Sequence, residues 1–268
     1  MRARTSKCCS PLSVALFVSA ALTAVLVSPV RAGGGERAAS RPVGHPAPPV
    51  HLYESSPTLQ DVLDRHVEAC GGEEAFAALA SRVLSGTLTT DLPTWDPPVY
   101  EVDSVRVYSV APASYLVVYD TPDGTGLEGS DGAATWKVSA ETGTLELEPR
   151  HRPDSWLIDP RFCARLREHF PGMAYLGETY IDGERLHVVD VDGEHLHRLY
   201  FDAESGLLAR IGYNTRILTY GSVDGVLIPW EVEHSRKGGS STYRVATVVH
   251  NVQIDDAVFS APEGGTTY

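Results

Sequence analysis

Apolar and polar positions divide the chain into stretches with different periods. Residues 12–27, "LSVALFVSAALTAVLV", form an uncharged apolar run behind a positive head of Arg2, Arg4 and Lys7. Residues 33–57, "GGGERAASRPVGHPAPPVHLYESSP", hold five prolines and four glycines and show no apolar period. From Thr58 the spacing becomes helical: Leu59, Val62, Leu63 and Val67 stand at i, i+3, i+4 and i+8, one stripe of an amphipathic helix. Gly71-Gly72 stop it, and "EEAFAALA" predicts a short second helix.

After Ser81 the pattern turns to strands. "RVLSGTLTT", "VYEVDSVRVYSV", "SYLVVYD", "ATWKV" and "TLELE" come first. "AYLGETYI", "ERLHVVDV", "EHLHRLYF", "GLLARIGY", "RILTYGSV", "GVLIPWEVEHS" and "STYRVATVVHNV" come after them, separated by Asp-Gly, Gly or Pro clusters that suit hairpin turns. Between the two groups "DPRFCARLREHF" predicts a helix over 159–170, with Asp159 as N-cap and Pro160 at the first helical position. The connections are too short for crossover helices, so the strands must pair antiparallel. The expected fold is mainly β (α+β): a strongly curved antiparallel sheet or half-open β-barrel of 11–13 strands, covered by two or three helices.

These patterns divide the chain into three segments. Residues 1–32 read as a cleavable signal peptide, because the apolar run is shorter than the ~18–20 residues of a membrane span and ends in "SPVRA". Residues 33–57 read as a Pro/Gly-rich tether, and 58–268 as one β domain. The expected location is therefore periplasmic.

Charge then narrows the partners. Residues 1–32 carry four basic and no acidic residues, so the remainder has 18 basic against 35 acidic residues, a net of −17. Such a chain repels nucleic acid and anionic membrane surfaces at long range. Outside the leader only Cys70 and Cys163 remain. In an oxidising compartment they are either a disulfide or two buried thiols.

A few stretches carry candidate chemistry. "GTGLEG" (Gly124–Gly129) matches G-x-G-x-x-G, but the next residues, "SDGAATWKV", read as turn and strand, with no helix N-terminus to hold a phosphate. Taking Asp192-Gly193 as a two-residue hairpin loop pairs Asp190 with His195. Asp190, His195 and His197 then share a face with Leu186, Val188, Leu199 and Phe201. Two histidines and a carboxylate can bind zinc or iron, which would suit a metal-dependent hydrolase. No third firm ligand or general base accompanies them, so the preferred reading is a solvated hairpin end, with no cofactor expected. No G-x-S-x-G occurs, and no Ser, His and Asp group together. Several strands are apolar on both faces, so the sheet must be covered twice or must curl around something apolar.

Several segments together resemble the LolA-like periplasmic lipoprotein-carrier superfamily, in its uncharacterised lipoprotein-sorting-like branch. They are "VEACGGEEAFAALASRVLSGTL" (Val67–Leu88), "SDGAATWKV" (Ser130–Val138), "LYFDAESGLLARI", "YGSVDGVLIPWEVE" (Tyr220–Glu233) and "NVQIDDAVFSAP" (Asn251–Pro262). The resemblance implies a half-open barrel over helices with an apolar cavity for acyl chains, and neither an enzymatic step nor a cofactor. It carries no fixed ligand motif. Bulk and alternation nominate Val105, Val107, Leu116, Val118, Trp136, Leu199, Phe201, Leu208 and Trp230 as cavity residues. The leading expectation is a monomeric, non-enzymatic carrier or sensor of lipid or lipoprotein acyl chains. The alternative is a domain that binds an envelope or membrane protein through its sheet edge or tether.

Overall fold

The structure, a computed structural model, describes residues 49–51, 56–96, 98–122, 124–147, 153–191 and 198–262. Residues 1–32, most of 33–57, and His195 and His197 lie outside the described residues. Thirteen strands form one sheet. The first group is β1 (Ser81–Leu92), β2 (Val99–Val110), β3 (Ser114–Thr121), β4 (Gly124–Asp131), β5 (Thr135–Val138) and β6 (Leu145–Leu147). The second is β7 (Ala174–Ile181), β8 (Glu184–Asp190), β9 (Arg198–Asp202), β10 (Leu208–Ile211), β11 (Thr215–Val223), β12 (Val226–Arg236) and β13 (Gly239–His250).

Their order is β6-β5-β4-β3-β2-β1-β13-β12-β11-β10-β9-β8-β7, with every neighbouring pair antiparallel. Two meanders thus meet where β1 pairs with β13. Their far ends, β6 and β7, are the two edges of the sheet, yet they are consecutive in sequence. The segment joining them must therefore cross the sheet's whole width. It carries α3 (Ser155–Ile158), a 3-10 turn (Phe162–Arg165) and α4 (Leu166–His169), and α3 packs on β2 and β3.

The sequence predicts one helix over 159–170; the chain is helical over 162–169, as the 3-10 turn followed by α4, but it begins later than predicted. Asp159 has extended backbone and ends α3, and its carboxylate accepts a hydrogen bond from the Arg161 amide at 2.8 Å. A short polar side chain that bonds its own downstream backbone competes with helix, and Pro160 disfavours helical geometry at the residue before it. β4 is the reverse case, a Gly-rich stretch without a strand signature that forms a strand. A Cβ at Gly129 would overlap the Trp136 indole, which lies across that position from β5. Glycine here is room for the neighbouring ring.

Near the N-terminus the sequence reading holds. α1 (Leu59–Ala69) is closed by a capping box in which Thr58 and Asp61 satisfy each other's backbone amides, and α2 (Glu73–Ala77) comes directly after the two glycines. Both faces of the sheet are covered. The main core lies on the helix side: Leu84, Leu88, Val105, Val107, Val117, Leu199, Phe201, Leu208 and Val232 pack with Val62 and Leu63 of α1, Phe76 of α2, and Trp156, Leu157 and Phe162 of the crossover segment.

The opposite face is covered by the two ends of the described chain. Val50 packs on Leu186, Val188 and Tyr200 at the β7 end. The 3-10 turn Asp256–Phe259 lies against β3 and β4, where the Trp136 indole N–H donates to the Phe259 carbonyl at 3.0 Å.

Candidate functional site

Cross-strand partners share a face, so the register places each proposed cavity residue. Val105 lies opposite Tyr119, and Val107 opposite Val117, on the helix side. Leu199, Phe201 and Leu208 belong to the same core, all at 0% exposure, and Trp230 packs against it partly buried. Leu116 and Trp136 both flank Gly129, and Val118 lies opposite Leu127 and Arg106. Those three face away from the helices. The nine residues therefore do not surround one space; six share the helix side and three lie on the opposite face.

The hairpin reading of 190–197 also changes. Asp190 pairs with Arg198, not His195, and Val189 pairs with Leu199. The slip is odd-numbered, so it exchanges faces. Leu186 and Val188 share their face with Tyr200, whereas Leu199 and Phe201 join the main core. Asp190 faces the Arg198 guanidinium at 3.5 Å. Its suggested partners His195 and His197 lie outside the described residues.

A cleft of about 510 Å³ opens where α3 and α4 lean over the β3–β5 end of the sheet. That volume is within the usual ~300–1,000 Å³ range of small-molecule sites. Tyr115 and Ile158 form its apolar wall, and both also belong to or pack against the main core. Thr135, Asp159 and His169 supply polar groups. The Thr135 hydroxyl is buried and has no hydrogen-bond partner among the described residues.

Asp159 is almost fully buried and fully engaged, accepting from His169 Nε2 at 2.7 Å and from Arg165 at 3.0 Å. Burial would raise its pKa. The bonds from His169 and the Arg161 amide, with the Arg165 charge, instead hold it below the usual carboxylate value. Among the described residues no nucleophile is hydrogen-bonded to His169.

The two cysteines are brought together. Cys70, the residue capping the C-terminus of α1, and Cys163, in the 3-10 turn, are free thiols and both buried. His66 of α1 joins them at 0% exposure, with the Cys70 sulfur 3.8 Å from each of its ring nitrogens. A hydrogen bond from Cys70 brings the Cys163 thiol down to about 5, helped by His66 and Arg82 and opposed by burial. The same contact, with burial adding to it, pushes Cys70 up.

Sequence reasoning missed His66, Arg82, Asp159 and His169. His66 and Cys70 did carry a signal, since four residues apart on a helix places them on one face. The other three had none, because long-range pairing alone brings them inward.

The open 13-stranded sheet with helices over one face is a LolA-like fold. No family model matches the sequence, and no curated protein matches it. The fold resembles that of a DUF1329 family protein from Desulfovibrio piger, at 13% identity and a TM-score of 0.52, covering 76% of this chain and 97% of that one. It equally resembles a LolA superfamily protein from Nitrosomonas europaea, at 14% identity and a TM-score of 0.53, covering 77% and 99%. At such identities the likeness is one of fold.

Proposed function

We propose that the chain is an exported, non-enzymatic carrier or sensor of a hydrophobic ligand, such as a lipid or the acyl chain of a lipoprotein, acting in the cell envelope. The observation that carries this reading is the two-sided cleft. Its Tyr115–Ile158 wall continues into the apolar core, and its polar wall, beside the paired Asp159 and His169, offers the Thr135 hydroxyl, which has no partner among the described residues. An amphiphile matches that division: the chain lies along the apolar wall and the head group meets the polar one. The cover is also made of short pieces, since α2, α3 and α4 have five, four and four residues. Such pieces give way more readily than one long packed helix. A partner protein adding a strand at the β7 edge is the weaker reading, because residues 49–51 already pair there.

The test is native mass spectrometry of the chain purified without detergent, then titration with a fluorescent fatty acid. The expected result is an added mass that extracts into organic solvent, and saturable binding. Ile158→Asp sets a charge on the apolar wall at a half-buried position. It should keep the fold and weaken binding at least about tenfold, or 1.4 kcal/mol. Unchanged binding in the folded variant would rule out the cleft as the ligand site.

A further inference from the structure

We propose that His66, Cys70 and Cys163 form a binding site for one soft monovalent metal ion, of the copper(I) class, between α1 and the Phe162–Arg165 turn. This stands apart from the carrier reading and uses different residues.

The geometry comes first. One donor atom from each residue lies within 4.8 Å of the other two, so a point exists within about 2.8 Å of all three (4.8 Å divided by √3). Metal–sulfur and metal–imidazole bonds are about 2.3 and 2.0 Å, so side-chain shifts of a few tenths of an ångström to under one would close the site. All three side chains are at 3% exposure or less, which fits a closed, dry site.

The histidine is oriented for ligation. Its Nδ1 lies 3.1 Å from the Gly206 carbonyl, an atom that can only accept, so Nδ1 carries the proton. Nε2 then carries the lone pair, and the Cys70 sulfur lies 3.8 Å from it. A second-sphere carbonyl that fixes the tautomer and ring angle is the usual companion of a metal-bound imidazole. A disulfide between the two cysteines would make no use of this arrangement.

The donor set points to the ion, and a nearby positive charge supports the thiolates. Arg82 is at 1% exposure. Among the described residues its guanidinium bonds only the Trp156 and Leu157 carbonyls, at 3.2 and 2.6 Å, and its Nε has no partner. No carboxylate among them lies at ion-pair distance from it, but the buried Asp159 carboxylate and, after it, Cys163 are close enough to feel its charge. Two thiolates with a monovalent ion carry one negative charge, and the nearby Arg82 guanidinium favours it. Zinc prefers four tetrahedral ligands, whereas thiolate-rich sites with fewer donors favour copper(I). Such an ion ties α1 to the crossover segment, joining two parts of the helical cover.

The test uses the full chain carrying Cys8→Ser and Cys9→Ser as its reference, so that only Cys70 and Cys163 remain, purified anaerobically with reductant and equilibrated with copper(I) buffered by a competing chelator. The expected result is one copper per chain after gel filtration and a raised thermal midpoint, because the ion binds only the folded state. Cys163→Ser and His66→Gln should each lower retention at least tenfold, with circular dichroism reporting whether the metal-free variants fold. His66→Gln leaves both thiols in place, so it separates a three-donor site from simple thiol binding. The proposal fails if the folded reference chain retains no copper, if it retains zinc instead, or if both folded variants bind as the reference does. It fails equally if the reference chain isolated without reductant has no free thiol and a mass lower by two hydrogens, which would make the pair a disulfide.

Discussion

Asp103 stands on β2 at 0% exposure, and among the described residues neither of its carboxylate oxygens has a hydrogen-bond partner. Burial, with Glu101 adding to it, raises its pKa to about 6 from an ordinary 3.8. The folded state therefore holds this proton more tightly than the unfolded chain does. Its contribution to stability is present below about pH 4 and is lost as pH rises through about 6. Asp103→Asn removes the titration while keeping the shape. Urea unfolding should show the variant about 1–3 kcal/mol more stable than wild type at pH 8 and nearly equal at pH 4. An equal gain at both pH values would mean that the charge is not the cause. Alternation makes Asp103, Val105 and Val107 neighbours on one face, so the sequence already shows an acid among core positions. Whether a basic group reaches it depends on strands and helices distant in sequence.

At the scale of elements, strand existence is well encoded and strand pairing less so. β2 and β7 have the bounds that their alternation predicts. β4 has no strand-like composition and forms because β3 and β5 pair on either side of it. The β8–β9 register is set by burying Val189, Leu199 and Phe201 under the helices, which outweighs the local preference of Asp-Gly for a two-residue turn. Residues 49–51 also join the sheet. His51 exchanges two backbone hydrogen bonds with Glu178, both 2.7 Å, and Thr179 donates to the Pro49 carbonyl at 2.8 Å. Gly177 allows this approach, since a Cβ there would overlap the His51 carbonyl. The paired segment blunts an edge that would otherwise be open to another chain. His51→Pro deletes one of the two bonds and should undock the segment. Hydrogen exchange at the Glu178 amide should then accelerate, and light scattering on storage should rise. Unaltered exchange would show that the segment contributes nothing to the edge.

For the whole molecule, the question is how a sheet apolar on both sides is covered. The crossover segment with α1 and α2 closes one face; residues 49–51 and the 256–259 turn close parts of the other. Phe259 is 1% exposed and its backbone holds the Trp136 indole. Phe259→Ala should cost about 3–5 kcal/mol, the usual range for a buried phenylalanine, and should shift Trp136 emission to longer wavelength. A loss under about 1 kcal/mol would show that this turn is not part of the cooperative fold.

The sequence alone determines the elements and the class. Period 3.6 marks α1, apolar and β-branched runs mark twelve of the thirteen strands, and Gly-Gly and Asp-Gly mark the ends, because these signals act over a few residues. Net acidity and the absence of catalytic motifs are likewise read without a structure. Only the tertiary structure decides which residues meet. The six helix-side residues are separated from Leu116, Val118 and Trp136 by register, which local preference does not set. His66, Cys70, Cys163 and Arg82 converge because the chain must cross from β6 to β7, and burial of the sheet's apolar face draws that crossing inward.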